Sequence, residues 1–282
     1  MSVRWLAQHA DNGDVSFRLG CDGDDVIAEW LGLARLVARR DGSTSRLEVV
    51  PGSDPRAVAK IERGSVRLLL RHLAGELALH GAAVARGSRA VVLLGRSGDG
   101  KSTLAAWLCT RRGAALLADD ATAIDEIAVP MPVSHGQGVV PRWVVLPAEG
   151  DHWLDEAARF AVGLDLPAHA NGVRGKAPVA AARSDSGAAA LHGFVALVFS
   201  DVPAPRCTRL RDVDAIATLV PQTVRFVLDD PAAQRRELDR LAALVETVPV
   251  YQLERSRDLA QLDATGALVD NVLRGDSKEC LP

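Results

Sequence analysis

The chain has 282 residues, enough for one large domain or two small ones, which excludes a stapled mini-protein. Its composition, 48% hydrophobic and 24% charged, is that of a folded protein with a proper core and excludes global disorder and fibrous repeats. Lys and Arg total 33 against 36 Asp and Glu, so the net charge of -3 offers no electrostatic case for nucleic acid or an anionic membrane as partner; any phosphate recognition must be local.

Aromatic residues make up only 4%, so the core must be built mainly from Ala, Leu and Val. Four scattered cysteines (Cys21, Cys109, Cys207 and Cys280) form no CxxC pair and no zinc-type cluster with histidine, and read as reduced thiols. The start MSVRWLAQHADNGD lacks the order of a secretory signal, and no apolar run reaches the roughly 18 residues of a membrane span. The expectation is a cytoplasmic protein with no membrane partner.

Along the first 60 residues, short segments are separated by turn chemistry: DNGD at 11–14, CDGDD at 21–25, DGSTS at 41–45 and PGSDP at 51–55. Val15–Leu19 alternates apolar and polar residues, and Arg46–Val50 does so less cleanly, so both read as strands with one wet face. From Gly64 the spacing changes: Val66, Leu69, Leu70, Leu73 and Leu77 fall on one helical face. These features predict a small β-rich region over 1–62 and a larger α/β domain over 63–282.

Ala82–Ala85 and Ala90–Leu94 read as strands joined by a hairpin turn at Arg86–Arg89. A glycine-rich loop follows, then a helix over Ser102–Arg112 stopped by Gly113, then a buried strand over Ala114–Ala118, which completes a βαβ unit. Beyond Pro130 the pattern predicts a strand over Val139–Leu146 interrupted by Pro141, a mobile loop over Pro167–Gly187, and a buried strand at Phe194–Ser200. Helices are expected at Asp214–Leu219 and Ala232–Thr247, the second with Leu238, Leu241, Leu244 and Val245 on one face. An edge strand at Val248–Leu253 and a helix over Leu259–Leu273 close the chain.

Gly95-Arg96-Ser97-Gly98-Asp99-Gly100-Lys101-Ser102 fits GxxxxGK[ST], the Walker A pattern, in the strand-to-helix context the pattern requires. Three glycines let successive N–H groups turn toward phosphate oxygens, and the following helix adds the positive end of its dipole. Lys101 would bridge the β- and γ-phosphates, the Ser102 hydroxyl would serve Mg²⁺, and Thr103 is placed to reach an α-phosphate. The chain has neither an NKxD guanine motif nor an LSGGQ-like transporter signature, which favours ATP. The loop alone does not name the reaction.

Leu116-Leu117-Ala118 ends in Asp119-Asp120, two carboxylates at the carboxyl end of a strand neighbouring the loop, where open α/β sheets hold ligands. One would hold Mg²⁺ and the other would take a proton from an attacking hydroxyl. Asp125-Glu126 is a rival acidic site if Thr122–Ile124 ends a strand. His80 opens the hairpin that feeds the loop. Arg142 and the group Arg206, Arg209 and Arg211 either line the site or are ordinary surface charge.

His80-Gly81, the loop GRSGDGKST fifteen residues after the histidine, and LLADD ending 25 residues after the loop begins together resemble the C-terminal catalytic domain of HPr kinase/phosphorylase. They are still more similar to smaller HPr-kinase-like serine kinases, some found with lasso-peptide pathways. The resemblance spans Leu79 to Asp125, and Val250–Leu253 is similar to the closing strand of those relatives. It implies a P-loop core of the HPr kinase/PEP carboxykinase type and Mg·ATP-dependent phosphorylation of a serine hydroxyl on a small protein or peptide. By position it makes Asp119 the general base and Asp120 the metal support. Gly95, Ser97, Gly98, Asp99, Gly100, Lys101, Ser102 and Thr103 become the nucleotide loop, and His80 a residue that orients an aspartate.

The family's EvRGxG-type signature has its nearest counterpart in Asn171–Lys176, which lacks the leading glutamate, so phosphorolysis is not implied. Arg174 or Lys176 either closes over phosphate or belongs to a solvated loop. An ATP-binding regulatory module and a small-molecule kinase stand as alternatives, and homo-oligomerisation stays open. Of the aromatics only Trp107 lies within a dozen residues of Lys101, so the sequence offers no stacking platform for a base and predicts weak base selectivity.

Overall fold

The computed structural model describes residues 3–11, 14–133, 136–148, 150–164, 176–181, 187–226 and 230–276. Its contacts divide the chain into two compact units, 1–78 with 224–239, and 79–223 with 240–282. The first division thus falls after Ala78, beyond the 62/63 boundary expected from the change in spacing.

The first unit is an antiparallel meander of β1 (Arg4–Asp11), β2 (Asp14–Asp22), β3 (Asp25–Trp30), β4 (Ala34–Arg39) and β5 (Ser45–Val49), in that spatial order. Its turns use the expected glycines: Gly23 and Gly42 both adopt positive φ. A helical run follows, α1 (Pro55–Ile61) and α2 (Arg67–Leu73), joined by a π turn at Glu62–Val66. The run starts earlier than Gly64 because Asp54 caps the Arg56 N–H at 2.9 Å and Pro55 stands in the first turn. Val66 and Leu69 pack with Leu19, Val26, Ala28 and Leu36 from alternate strand positions. Leu77, assigned to this helical face by spacing, lies instead in the next strand.

The second unit is built on an eight-stranded sheet. Its first strands, β6 (Leu77–Arg86) and β7 (Arg89–Leu94), form the expected hairpin across a two-residue turn. Helix α3 (Lys101–Arg112) ends on Gly113 in the left-handed region, which no side chain adopts cheaply, and β8 (Ala115–Ala118) follows. Strand β8 pairs with β6, so it lies one strand removed from β7 rather than beside it. Next come β9 (Ala121–Val133) and β10 (Gly136–Leu146), a long antiparallel pair in which the ladder runs through Pro141 without a break.

A separate small sheet joins β11 (Asp151–Leu154) to β12 (Ala177–Ala180), with α4 (Glu156–Val162) between them in the chain. Strand β12 thus occupies part of the segment expected to be a mobile loop; residues 167–175 and 182–186 of that segment lie outside the described residues. The sheet resumes with β13 (Ala189–Phe199) and β14 (Arg206–Leu210). Helices α5 (Asp212–Leu219) and α6 (Pro231–Thr247) precede β15 (Val250–Arg255), and α7 (Leu262–Arg274) closes the chain. Within α6, Leu241 and Leu244 are buried as expected but Leu238 is exposed.

Strand β15 is interior, not an edge: β13 runs parallel on one side and β14 antiparallel on the other. Strand β14 carries Arg206 and Arg209, which hid it from an apolar pattern. Strands β7, β13 and β15 are therefore three parallel neighbours, and their carboxyl ends share one edge of the sheet. The core around them is Ala, Leu and Val, with Trp107 of α3 as a rare aromatic; its Nε1 donates to Asp263 of α7 at 2.6 Å. Among the described residues no helix is long and apolar enough to cross a membrane.

Candidate active site

The run of buried apolar residues in β7 ends at Leu94, and the chain must then turn sharply into α3. Gly95, Gly98 and Gly100 make that turn with φ of 150°, 93° and 82°. The last two are left-handed, and Gly100 is the N-cap of α3. The loop is tied internally. Asp99 Oδ2 accepts the Arg96 N–H at 2.5 Å, and the Asp99 N–H donates to the Arg96 carbonyl at 3.1 Å. Lys101 folds back over the loop, its Nζ donating to the carbonyls of Gly95 (2.8 Å) and Arg96 (3.0 Å).

This loop forms one wall of a cavity of about 500 Å³. The lining includes Gly95, Ser97, Gly98, Gly100, Lys101, Ser102 and Thr103, with His80, Asp119 and Asp120 facing the same space. Sequence positions separated by up to 40 residues are thus brought together. Asp99 is the departure: it is absent from the lining because its carboxylate is turned onto the loop's own Arg96 N–H.

The two carboxylates differ in environment. Asp119 is buried and its Oδ2 accepts the Trp153 N–H at 2.6 Å, whereas Asp120 is exposed and anchored through its carbonyl, which accepts the Gly81 N–H at 3.3 Å. That last bond sets Asp120 beside exposed His80. Burial pulls the Lys101 ammonium below its ordinary pKa, opposed by Asp120, Asp99 and Asp119 and reinforced by Lys176. Burial, with a contribution from Asp119, pushes the Cys109 thiol up to about 12, so this cysteine is an inert core residue.

Several lining residues were not visible as site residues in the sequence. Trp153, Leu154 and Asp155 arrive on β11 and the start of α4, and Pro221 and Gln222 follow α5, whereas Lys176, just before β12, was already a candidate to close over phosphate. Lys176 therefore faces the cavity; Arg174 lies outside the described residues. Trp153, 52 residues beyond Lys101, is an aromatic of the cavity lining that sequence distance from the loop did not reveal.

The rival acidic pair is displaced. Asp125 and Glu126 fall in the middle of β9, not at a strand end, and Asp125 pairs with Arg240 at 3.3 Å. Arg142 is exposed on β10, and Arg206 donates from Nε to Glu254 at 3.0 Å. Neither belongs to the cavity lining, nor do Arg209 and Arg211.

The arrangement defines a mixed α/β protein with a glycine-rich strand–loop–helix at the carboxyl edge of its sheet and two carboxylates across a shared cavity. No protein-family model matches the chain, and no curated protein matches it. Among solved structures it is similar to the HPr(Ser) kinase/phosphatase from Coxiella burnetii, at 12% identity and a TM-score of 0.32, over 71% of this chain and 98% of that one. A likeness of that size carries no argument about activity.

Proposed function

We propose that this protein is a Mg·ATP-dependent kinase that phosphorylates a serine hydroxyl on a small protein or peptide, as the HPr-kinase-like resemblance of its motifs implies. The observation that carries the reading is the single cavity lined by the glycine loop, Lys101, Ser102 and both Asp119 and Asp120. Phosphoryl transfer asks a protein chiefly for positioning and charge neutralisation, and these groups offer both.

The donor set fits Mg²⁺ held between protein and phosphates. Among the described residues no group of three or more acidic, histidine or cysteine side chains gathers as a metal cage. Mg²⁺ in phosphate sites needs only one or two protein oxygens, and Ser102 with exposed Asp120 supplies them. When bound, the ion would neutralise charge on the phosphates. The loop N–H groups and the N-terminus of α3 bind the phosphate chain, and Lys101 exchanges its two loop carbonyls for phosphate oxygens.

Asp119, held in place by the Trp153 N–H, accepts the proton of the serine hydroxyl as its oxygen attacks the γ-phosphorus. The new O–P bond forms as the bond to ADP breaks, and ADP leaves with the electron pair. His80 lines the same cavity as Asp120, whose backbone carbonyl is held by the N–H of the next residue, Gly81. Lys176 faces Lys101 and adds a second cation for the transferred group. Calorimetric titration with Mg·ATP tests the first half of this reading: the parent protein binds, and Lys101→Ala weakens binding at least tenfold. Equal affinity in the two proteins would defeat it.

A further inference from the structure

The cavity residues account for what touches a nucleotide, but not for what keeps an unliganded glycine loop in one shape. Flexible loops lose affinity in proportion to the fraction of time spent in the wrong conformation. A strand end at the same sheet edge supplies a fastener. Strand β15 ends in Arg255, directly opposite Phe199 of β13 in the parallel ladder.

Arg255 is 6% exposed, and its Nη2 donates to the Asp99 carbonyl, inside the loop, at 2.6 Å. Its guanidinium carbon lies 4.5 Å from the centre of the Phe199 ring, within cation–π range. Gly100 packs against it so closely that a Cβ there would collide with the guanidinium. Together with the bonds between Asp99 and Arg96, this leaves the middle of the loop tied on both sides.

The electrostatics point the same way. Among the described residues Arg255 makes no ion pair; its hydrogen bond goes to loop backbone, and its Nε has no partner. The Asp99 carboxylate, which acts on it through space, is itself committed to the Arg96 N–H. A buried cation without a paired anion is costly, and a polyphosphate bound in the loop would supply the compensating charge.

We infer that Arg255 is a positioning residue that holds the Gly95–Ser102 loop in its phosphate-ready conformation and favours anionic ligands there. The anion part of this inference rests on the nucleotide reading of the loop; the positioning part does not.

The test compares Arg255→Met and Arg255→Lys with the parent, using hydrogen exchange of the 96–101 amides without ligand and calorimetry with Mg·ADP. In Arg255→Met, exchange at 96–101 rises while β7, β13 and α7 keep their protection. The Kd for Mg·ADP rises roughly ten- to a hundredfold, the worth of one charge-assisted hydrogen bond. Arg255→Lys, which keeps the charge and one donor, is intermediate in both readouts and carries the test if the methionine variant does not fold.

Loop exchange and Kd both within twofold of the parent would overturn the inference. So would an equal rise in exchange across the whole unit, which would make Arg255 a general core residue. If the parent itself does not bind Mg·ADP, the nucleotide reading and the anion part fall, while the loop exchange still decides whether Arg255 positions the loop.

Discussion

The backbone N–H of Trp153 donates to Asp119 Oδ2 at 2.6 Å, joining the short strand β11 to the turn after β8 across 34 residues of chain. A carboxylate that is 2% exposed and also lines a cavity must be held by such contacts, or it would swing toward water. Asparagine at 119 keeps an oxygen for this N–H, whereas alanine leaves a part-buried donor with nothing to bond. Asp119→Ala is therefore less stable than Asp119→Asn by about 1–3 kcal/mol, read from urea unfolding of the two variants. Equal stabilities would mean that the bond contributes nothing to the fold.

His152, the neighbour of Trp153 on β11, is 1% exposed, and neither ring nitrogen has a partner among the described residues. Burial lowers its pKa from the ordinary 6.5 to about 4. Above pH 6.5 the imidazole is neutral in folded and unfolded chains and contributes no pH dependence. Between 6.5 and 4 the unfolded chain takes up a proton that the folded one refuses, so stability falls as the pH falls, by about 3 kcal/mol in all. The slope of unfolding free energy between pH 7 and pH 4.5 checks this. It should flatten in His152→Leu; an unchanged slope would mean that other groups cause it.

Gly266 sits inside α7 because the Trp107 ring lies against its Cα, leaving no room for a Cβ. The contact brings α3, the helix that follows the glycine loop, against α7, and the bond from Trp107 to Asp263 fixes it. Gly266→Ala gains helix propensity but must push the indole aside, for a net loss of roughly 1–3 kcal/mol. A thermal melt decides the sign: an increase in Tm would show that the helices yield without strain.

What was legible in the sequence was local. The hairpin of β6 and β7, the loop and α3 announced themselves through unbroken apolar runs, three glycines and a stop at Gly113, all set by neighbours within a few residues. The Asp119-Asp120 pair was legible as a strand end, and the cavity includes both. Distant pairings were not legible. Strand β11 is four residues long with no strong alternation, so nothing in DHWL announced that Trp153 would meet Asp119. Arg255 lies two residues beyond the apolar part of β15, and its role depends on β13 and β15 being parallel neighbours. Asp125-Glu126, the rival pair, is not a strand end because β9 runs on past it to Val133 in its ladder with β10.

The proposed reaction is transfer of the γ-phosphoryl group of ATP to a serine hydroxyl, with Asp119 as base. The most direct measurement incubates the parent protein and Asp119→Asn with Mg·ATP labelled in the γ-phosphate and a library of serine-bearing peptides, then follows label on serine. Transfer is expected from the parent, with a loss of about 10²–10⁴-fold in Asp119→Asn and Mg·ATP binding retained in both. Equal transfer by the two proteins, or no transfer to any serine by a parent that binds Mg·ATP, would contradict it.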